Sequence, residues 1–254
     1  MKNILLTIAY DGSGFHGWQR QANARTVQGT LEEALKAVAN TAVSLEGASR
    51  TDAGVHAIGQ RATLRGSFGI PTERIPIALN SKLHDVTIIS AEEKPEGFHA
   101  RFDAAGKTYV YRFAVAPSIQ AFLRNHACLL ARMPNTDKMA EAAKHIEGTH
   151  DFACFQAAGG IPRATTVRTV SGIFIRTDKV SDIAGNKYEE IEISVTGDGF
   201  LYNMVRIIAG TLADVGYEKI APREVEEIIA QKDRAQAGAT APPQGLYLKE
   251  VFYY

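Results

Sequence analysis

An α+β fold of two successive βαββαβ-like halves is predicted by the order of secondary-structure signals along the chain. Extended segments at residues 4–10, 43–46, 59–64 and 86–90 alternate with helical periodicity at 26–40 and 72–83. The second half repeats that theme with longer insertions, from a strand at 108–115 to a strand at 246–253. A polar hairpin at 182–186 joins strand signals at 166–176 and 188–196, which predicts antiparallel pairing. No sequence repeat accompanies the repeated order, so the duplication is one of topology. The halves are placed at 1–104 and 105–254, and no Pro/Gly/Ser-rich linker separates them, which predicts rigidly joined domains.

Each element has a local reason. Ile4-Leu5-Leu6-Thr7-Ile8-Ala9-Tyr10 is a hydrophobic strand that ends where polarity returns at Asp11. Val27, Leu31, Leu35 and Val38 recur at helical spacing, and Thr26 is placed to cap that helix. Ile75, Leu79 and Leu83 give the next helix one buried face, and Val86-Thr87-Ile88-Ile89-Ser90 is a β-branched strand. A helix at 135–146 is stopped by Gly148. Helices follow at 200–215 and at 222–231, the latter with Pro222 at a favoured first-turn position.

With 254 residues and 45% hydrophobic composition, the chain can bury one large core or two modest ones. No apolar run approaches the roughly 18 residues that cross a bilayer, so no membrane association is expected. Residues 1–8 are short and precede a polar turn, which reads as a first strand rather than a signal peptide. Cys128 and Cys154 make neither a disulfide framework nor a CxxC site, as expected of a reduced cytoplasmic protein. Lys plus Arg and Asp plus Glu number 28 each. Net charge therefore gives no pointer to nucleic acid, and an RNA partner would need basic residues gathered on one face by folding. The sequence holds no P-loop, dinucleotide fingerprint or clustered metal ligands, so neither metal nor nucleotide cofactor is expected.

The most informative run is Gly47-Ala48-Ser49-Arg50-Thr51-Asp52-Ala53-Gly54-Val55-His56-Ala57. It places a lone carboxylate on a tight loop between two strands, with Ala53 and Gly54 leaving the backbone open to a bulky ligand. A carboxylate so placed serves as nucleophile or base, with Arg50 and Thr51 beside it to hold substrate. The plain alternative is an Asp-Ala-Gly turn favoured by local hydrogen bonding.

The whole run resembles the active-site motif of the tRNA pseudouridine synthase A family. So do Tyr10-Asp11-Gly12-Ser13-Gly14-Phe15-His16-Gly17-Trp18-Gln19-Arg20-Gln21, Thr26-Val27-Gln28-Gly29-Thr30-Leu31-Glu32 and Phe98-His99-Ala100-Arg101-Phe102-Asp103-Ala104. Further matching blocks are Gly148-Thr149-His150-Asp151-Phe152, Gly199-Phe200-Leu201-Tyr202-Asn203-Met204-Val205-Arg206 and Ala241-Pro242-Pro243-Gln244-Gly245-Leu246-Tyr247-Leu248. The blocks are colinear with the family and reach from the first strand to the last. Ser49 stands where many members carry glycine, a change between small residues.

The resemblance implies the pseudouridine synthase fold, two ferredoxin-like halves sharing a mixed, mainly antiparallel sheet with a central cleft. It implies an isomerase that converts uridine to pseudouridine at positions 38, 39 and 40 in the anticodon stem-loop of tRNA. It also implies a homodimer with one tRNA spanning both subunits. By resemblance Asp52 is the catalytic carboxylate. Burial under a bound base would raise its pKa and a nearby arginine would lower it, and the resemblance supplies Arg206 as that arginine. Read from the helix alone, Arg206 equally emerges into solvent.

Tyr109 and Tyr111 share one face of a strand, and inward aromatics are ordinarily core. The resemblance carries Tyr109 into the site, to stack on uracil and stand as candidate acceptor of its C5 proton, and leaves Tyr111 to the core. Leu246 matches a leucine that packs against the target base, a role compatible with being the first core residue of a terminal strand. Arg50 is implied to hold phosphate or to fill the space left by an extruded uridine. Trp18, beside Arg20 on a glycine-rich loop, either stacks on RNA or pins the loop to the core.

Two rivals come from other classes. A non-catalytic RNA-binding module has no reason to keep Asp52, Tyr109 and Arg206 together. A hydrolase using Asp52 and His56 lacks a recognisable nucleophile elbow.

Overall fold

β1 (Lys2–Tyr10) is a central strand, and Ile4, Leu5, Leu6 and Ile8 along it are wholly inaccessible to solvent in the computed structural model. The structure describes residues 1–39, 43–117, 121–160, 164–182 and 184–254. Residue 40, the expected end of the first helix, and residue 183, inside the expected hairpin, lie outside the described residues. The chain divides into two units, residues 1–105 with 247–254, and residues 106–246.

In the first unit β1 is followed by α1 (Val27–Ala39), β2 (Ser44–Gly47), β3 (His56–Gly66), α2 (Ile75–Asn80) and β4 (Val86–Glu93). This is the expected βαββαβ order. β1 lies between β3 and β4 and is antiparallel to both, and β2 pairs antiparallel with β3. A later strand, β10 (Leu246–Phe252), pairs in parallel with β3 through Tyr247 opposite His56 and Leu248 opposite Ala57. The division at 104/105 had given 105–254 to the second half, but residues 247–254 cluster with the first.

Side-chain chemistry explains the helices. Thr26 caps α1, its Oγ1 accepting the Gly29 N–H at 3.2 Å. Val27, Leu31 and Leu35 form the buried stripe of α1. The second helix is shorter than the expected 72–83. A 3-10 turn, Thr72–Arg74, leads into α2 with Pro76 in its first turn, and the Ser81 hydroxyl donates to Ala78 O just past its end.

The second unit runs β5 (Gly106–Val115), β6 (Cys128–Leu130), α3 (Thr136–Ile146), β7 (Gly148–Asp151), β8 (Val167–Ser181), β9 (Lys187–Gly197), α4 (Met204–Gly216) and α5 (Glu224–Gln231). β9 pairs antiparallel with β5 and β8, and β7 with β8, whereas β6 runs parallel to β5. Pairing in each unit is therefore mainly antiparallel, an α+β arrangement as expected. β6 and β7 were not anticipated. α4 starts at Met204 rather than at residue 200, because Asn203 takes a left-handed conformation with φ 60°. Pro222 precedes the first turn of α5 rather than lying in it. No helix among the described residues is long and apolar enough to cross a membrane.

α4 is buried on almost every side, Ile207, Ile208, Ala209 and Leu212 having no exposed surface. The strap at 237–242 presses onto it. Gly238 N–H donates to the buried Thr211 hydroxyl at 2.9 Å, and a Cβ on Gly210 would lie 1.8 Å from Ala239 O. The helix can carry no side chain at that point unless the strap lifts. Gly210→Ala is therefore expected to lower the melting temperature by about 5 °C or more, with Gly69→Ala within about 2 °C of the parent. Nothing lies within 4 Å of a Cβ built at Gly69, and thermal unfolding followed by circular dichroism makes the comparison.

Candidate functional site

β2 and β3 stay paired down to Gly47 opposite Ala62. Residues 48–55 then leave the sheet, carrying Asp52 half-buried and Arg50 exposed. The base of this loop is clipped to β3. Ala48 N–H donates to Arg61 O at 2.7 Å. Gln60, with no exposed surface, donates to Ser49 O at 2.8 Å and accepts the Ser49 N–H at 3.2 Å.

The apex is held by the loop that follows β1. Trp18 N–H donates to Thr51 O at 3.0 Å, and Gly54 N–H to Phe15 O at 3.3 Å. Val55 N–H returns to Asp52 O at 3.1 Å, closing a four-residue turn in which Gly54 has φ 78°. Gly17, itself at φ 88°, permits this approach, since a Cβ there would stand 2.7 Å from Thr51 O. Thr51 turns inward and its hydroxyl lies 2.7 Å from that of Tyr10 in a buried pair. Thr51 and Val55 are buried while Asp52 and Ala53 are not, so the carboxylate is presented between two anchored neighbours. Arg50 makes no ion pair among the described residues.

The neighbouring residues settle two alternatives. Trp18 is only 2% exposed, with its ring 6.1 Å from that of Tyr10, so it pins the loop to the core. Arg20 stays at the surface and pairs with Glu32. His56 is 2% exposed; its ring stacks on Tyr247 at 4.6 Å, and its Nδ1 accepts the Gly12 N–H at 3.1 Å. Asp11 Oδ1 lies 3.2 Å from the same nitrogen. That contact is an ion pair only when the imidazole is protonated. A ring enclosed in this way is poorly placed for the acid–base work that a hydrolase would ask of it.

Tyr109, Arg206 and Leu246 lie in the second unit, Asp52 and Arg50 in the first. Tyr109 is buried on β5, with its ring edge-on to Phe200 at 5.3 Å. Tyr111 is fully buried and its hydroxyl donates to Pro242 O at 2.7 Å. Burial pushes its phenol far above the usual range, so Tyr111 keeps its proton. Leu246 is 6% exposed and follows a 3-10 turn, Pro243–Gly245, laid against the Tyr111 ring.

Arg206 sits in the first turn of α4, half-buried and not turned out to solvent. Its Nε donates to Ala241 O and its Nη1 to Asn203 Oδ1, both at 2.7 Å. Ala241 N–H donates back to Arg206 O at 3.1 Å. The stretch 241–246 thus links two of the expected residues: Arg206 holds one end, Leu246 is the other, and Tyr111 grips Pro242 between them. Tyr10, Gln60 and Asn203 were given no role from sequence. Asn203 had a usable signal, its i,i+3 spacing from Arg206. A glutamine on a strand, such as Gln60, has none.

The family model described as tRNA pseudouridine synthase matches residues 6–103 and 142–254. Three proteins named tRNA pseudouridine synthase A are similar over 100% of both chains. Those of Ruminiclostridium cellulolyticum and Caldicellulosiruptor bescii are each 45% identical, and that of Acetivibrio thermocellus is 44% identical.

The Tyr10–Thr51 pair yields a stability test. Tyr10→Phe strands the Thr51 hydroxyl in the core and is expected to cost about 1–3 kcal/mol in urea unfolding. Tyr10→Phe with Thr51→Val removes both hydroxyls of the pair and is expected to recover part of that loss.

Proposed function

The chain belongs to the tRNA pseudouridine synthase family, and we propose that it acts on uridines 38, 39 and 40 of the tRNA anticodon stem-loop with Asp52 as catalytic carboxylate. It is an isomerase that converts uridine in tRNA to pseudouridine. The N1–C1′ bond of the nucleotide breaks, the uracil turns, and a C5–C1′ bond forms. C5 then loses a proton and N1 gains one, so no redox partner or phosphoryl donor enters the balance.

The observation that carries Asp52 is the clamped loop. Backbone and buried side chains hold Ser49, Thr51, Gly54 and Val55, and the carboxylate stands between them. A loop fixed in this way aims a charged group with little entropy left to lose at the reactive step. Asp52 acts at the sugar, either by adding to the nucleotide or by removing a sugar proton. It must be ionised to do so, and Arg206 is the cation assigned to keep it ionised. Tyr109 is assigned to stack on the uracil and accept the C5 proton, and Leu246 to pack against the base. Arg50, exposed and without an ion pair among the described residues, is assigned to a phosphate or to the gap left by the flipped nucleotide.

A homodimer with one tRNA spanning both subunits, working in the cytoplasm without a nucleotide cofactor, completes the proposal. Balanced charge in one chain gives that arrangement a reason, since two copies double the basic surface a single tRNA can meet. A non-catalytic RNA-binding module is disfavoured, because it has no need for buried clips converging on one carboxylate.

Incubation with tRNA transcript tritiated at uridine C5 tests the chemistry directly. Tritium release is expected without added metal or nucleotide. Asp52→Asn and Asp52→Ala are each expected to lower it by about a thousandfold or more while tRNA binding persists. Undiminished release from either variant would refute the role of Asp52. Affinity for tRNA is expected to fall as salt rises, measured by filter binding between low and physiological ionic strength. Affinity indifferent to salt would contradict a phosphate-reading surface.

A further inference from the structure

We infer that Asn203 is a positioning residue that sets the guanidinium of Arg206 by accepting one of its N–H groups. The inference rests on the assignment of Arg206 to the reaction. Asn203 occupies the N-cap position of α4, where asparagine is among the best capping residues. Its side chain makes no capping hydrogen bond there. Its backbone is left-handed, at φ 60° and ψ 9°, a conformation that glycine adopts at lower cost. Asn203 is thus neither a working cap nor the least strained residue for its place.

What it does instead is present Oδ1 to Arg206 Nη1 at 2.7 Å. From this left-handed position the side chain lies against the residue three further on, in the first turn of the helix. The bond from Arg206 Nε to Ala241 O, also 2.7 Å, fixes a second corner of the same planar group. A guanidinium is rigid, so two bonds to different nitrogens define both its position and the plane it lies in. Without Asn203 the Nη1 corner loses the acceptor that reaches it from the start of the helix. Ala241 is itself anchored by donating its N–H to Arg206 O, so the strap and the helix turn move as one. Asn203 adds a constraint at a second nitrogen.

Asn203→Gly separates this role from a merely conformational one, because glycine takes the left-handed backbone more easily and removes only the acceptor. In the tritium-release assay kcat is expected to fall about tenfold or more, with KM for tRNA within about twofold. The melting temperature is expected to stay within about 3 °C of the parent or to rise. Asn203→Asp keeps an acceptor oxygen in place and is expected to hold kcat within about threefold of the parent. Parental kcat in Asn203→Gly overturns the inference. So does an equal loss in the Gly and Asp variants, or a loss matched by a fall in melting temperature. Arg206→Ala is run beside them. Full turnover in that variant removes the assignment beneath the inference, whereas inactive Arg206→Ala with fully active Asn203→Gly removes the inference alone.

Discussion

The loop bearing Asp52 has no ladder of its own, so its shape is borrowed from the loop that follows β1. Antiparallel pairing makes this possible. Because Tyr10 at the end of β1 lies opposite Ala57 at the start of β3, the chain leaving one strand meets the chain entering the other. Main-chain bonds from Trp18 to Thr51 and from Gly54 to Phe15 then join two otherwise irregular segments. Backbone contact this close tolerates no side chain at Gly17, and it satisfies polar groups that would otherwise be buried without partners. The inward hydroxyl of Thr51 and the side chain of Gln60 complete a shell that ties Ser49, Thr51, Gly54 and Val55 around the carboxylate.

The second unit solves the complementary problem of keeping a cation on an apolar helix. α4 is so thoroughly buried that a charge in its first turn must be hydrogen-bonded to be tolerated. The carbonyl of Ala241 and the amide of Asn203 provide those bonds. The strap that contributes Ala241 is in turn seated by Thr211 and by the Tyr111 hydroxyl, both buried. The residues seen to hold Arg206 and its strap are thus spread over α4 and its N-cap, β5 and an irregular stretch between α5 and β10, and none of them stands out in the sequence alone.

Much of this was legible beforehand, and the exceptions share causes. Periodicity found α1 and the long strands because each has a continuous apolar face, as with Val27, Leu31 and Leu35. It missed β6 and β7, which are three and four residues long and too short to show alternation. It overran α2 at both ends, since Leu83 continues the helical spacing although the helix has stopped. It began the α4 helix early because Phe200 and Leu201 are apolar, and apolarity cannot reveal a left-handed residue at Asn203. In the site, Asp52 and Arg206 were readable through colinear motifs. Tyr10 and Gln60 were not, because their importance lies in whom they touch across the fold, and Asn203 offered only its spacing from Arg206.

The parallel strand β10 makes the order of synthesis matter to the first unit. Residues 247–254 belong with residues 1–105, yet they leave the ribosome only after the whole stretch 106–246. Until then β3 lacks its parallel neighbour along His56 and Ala57, and the His56 ring, which accepts the Gly12 N–H, has no Tyr247 to lie against. A contact between residues so distant along the chain forms late and carries a high loop-closure cost. The nascent first unit can therefore collapse early while the edge of β3 at His56 and Ala57 stays unfinished, and completion of that edge waits on translation of the far side of the message.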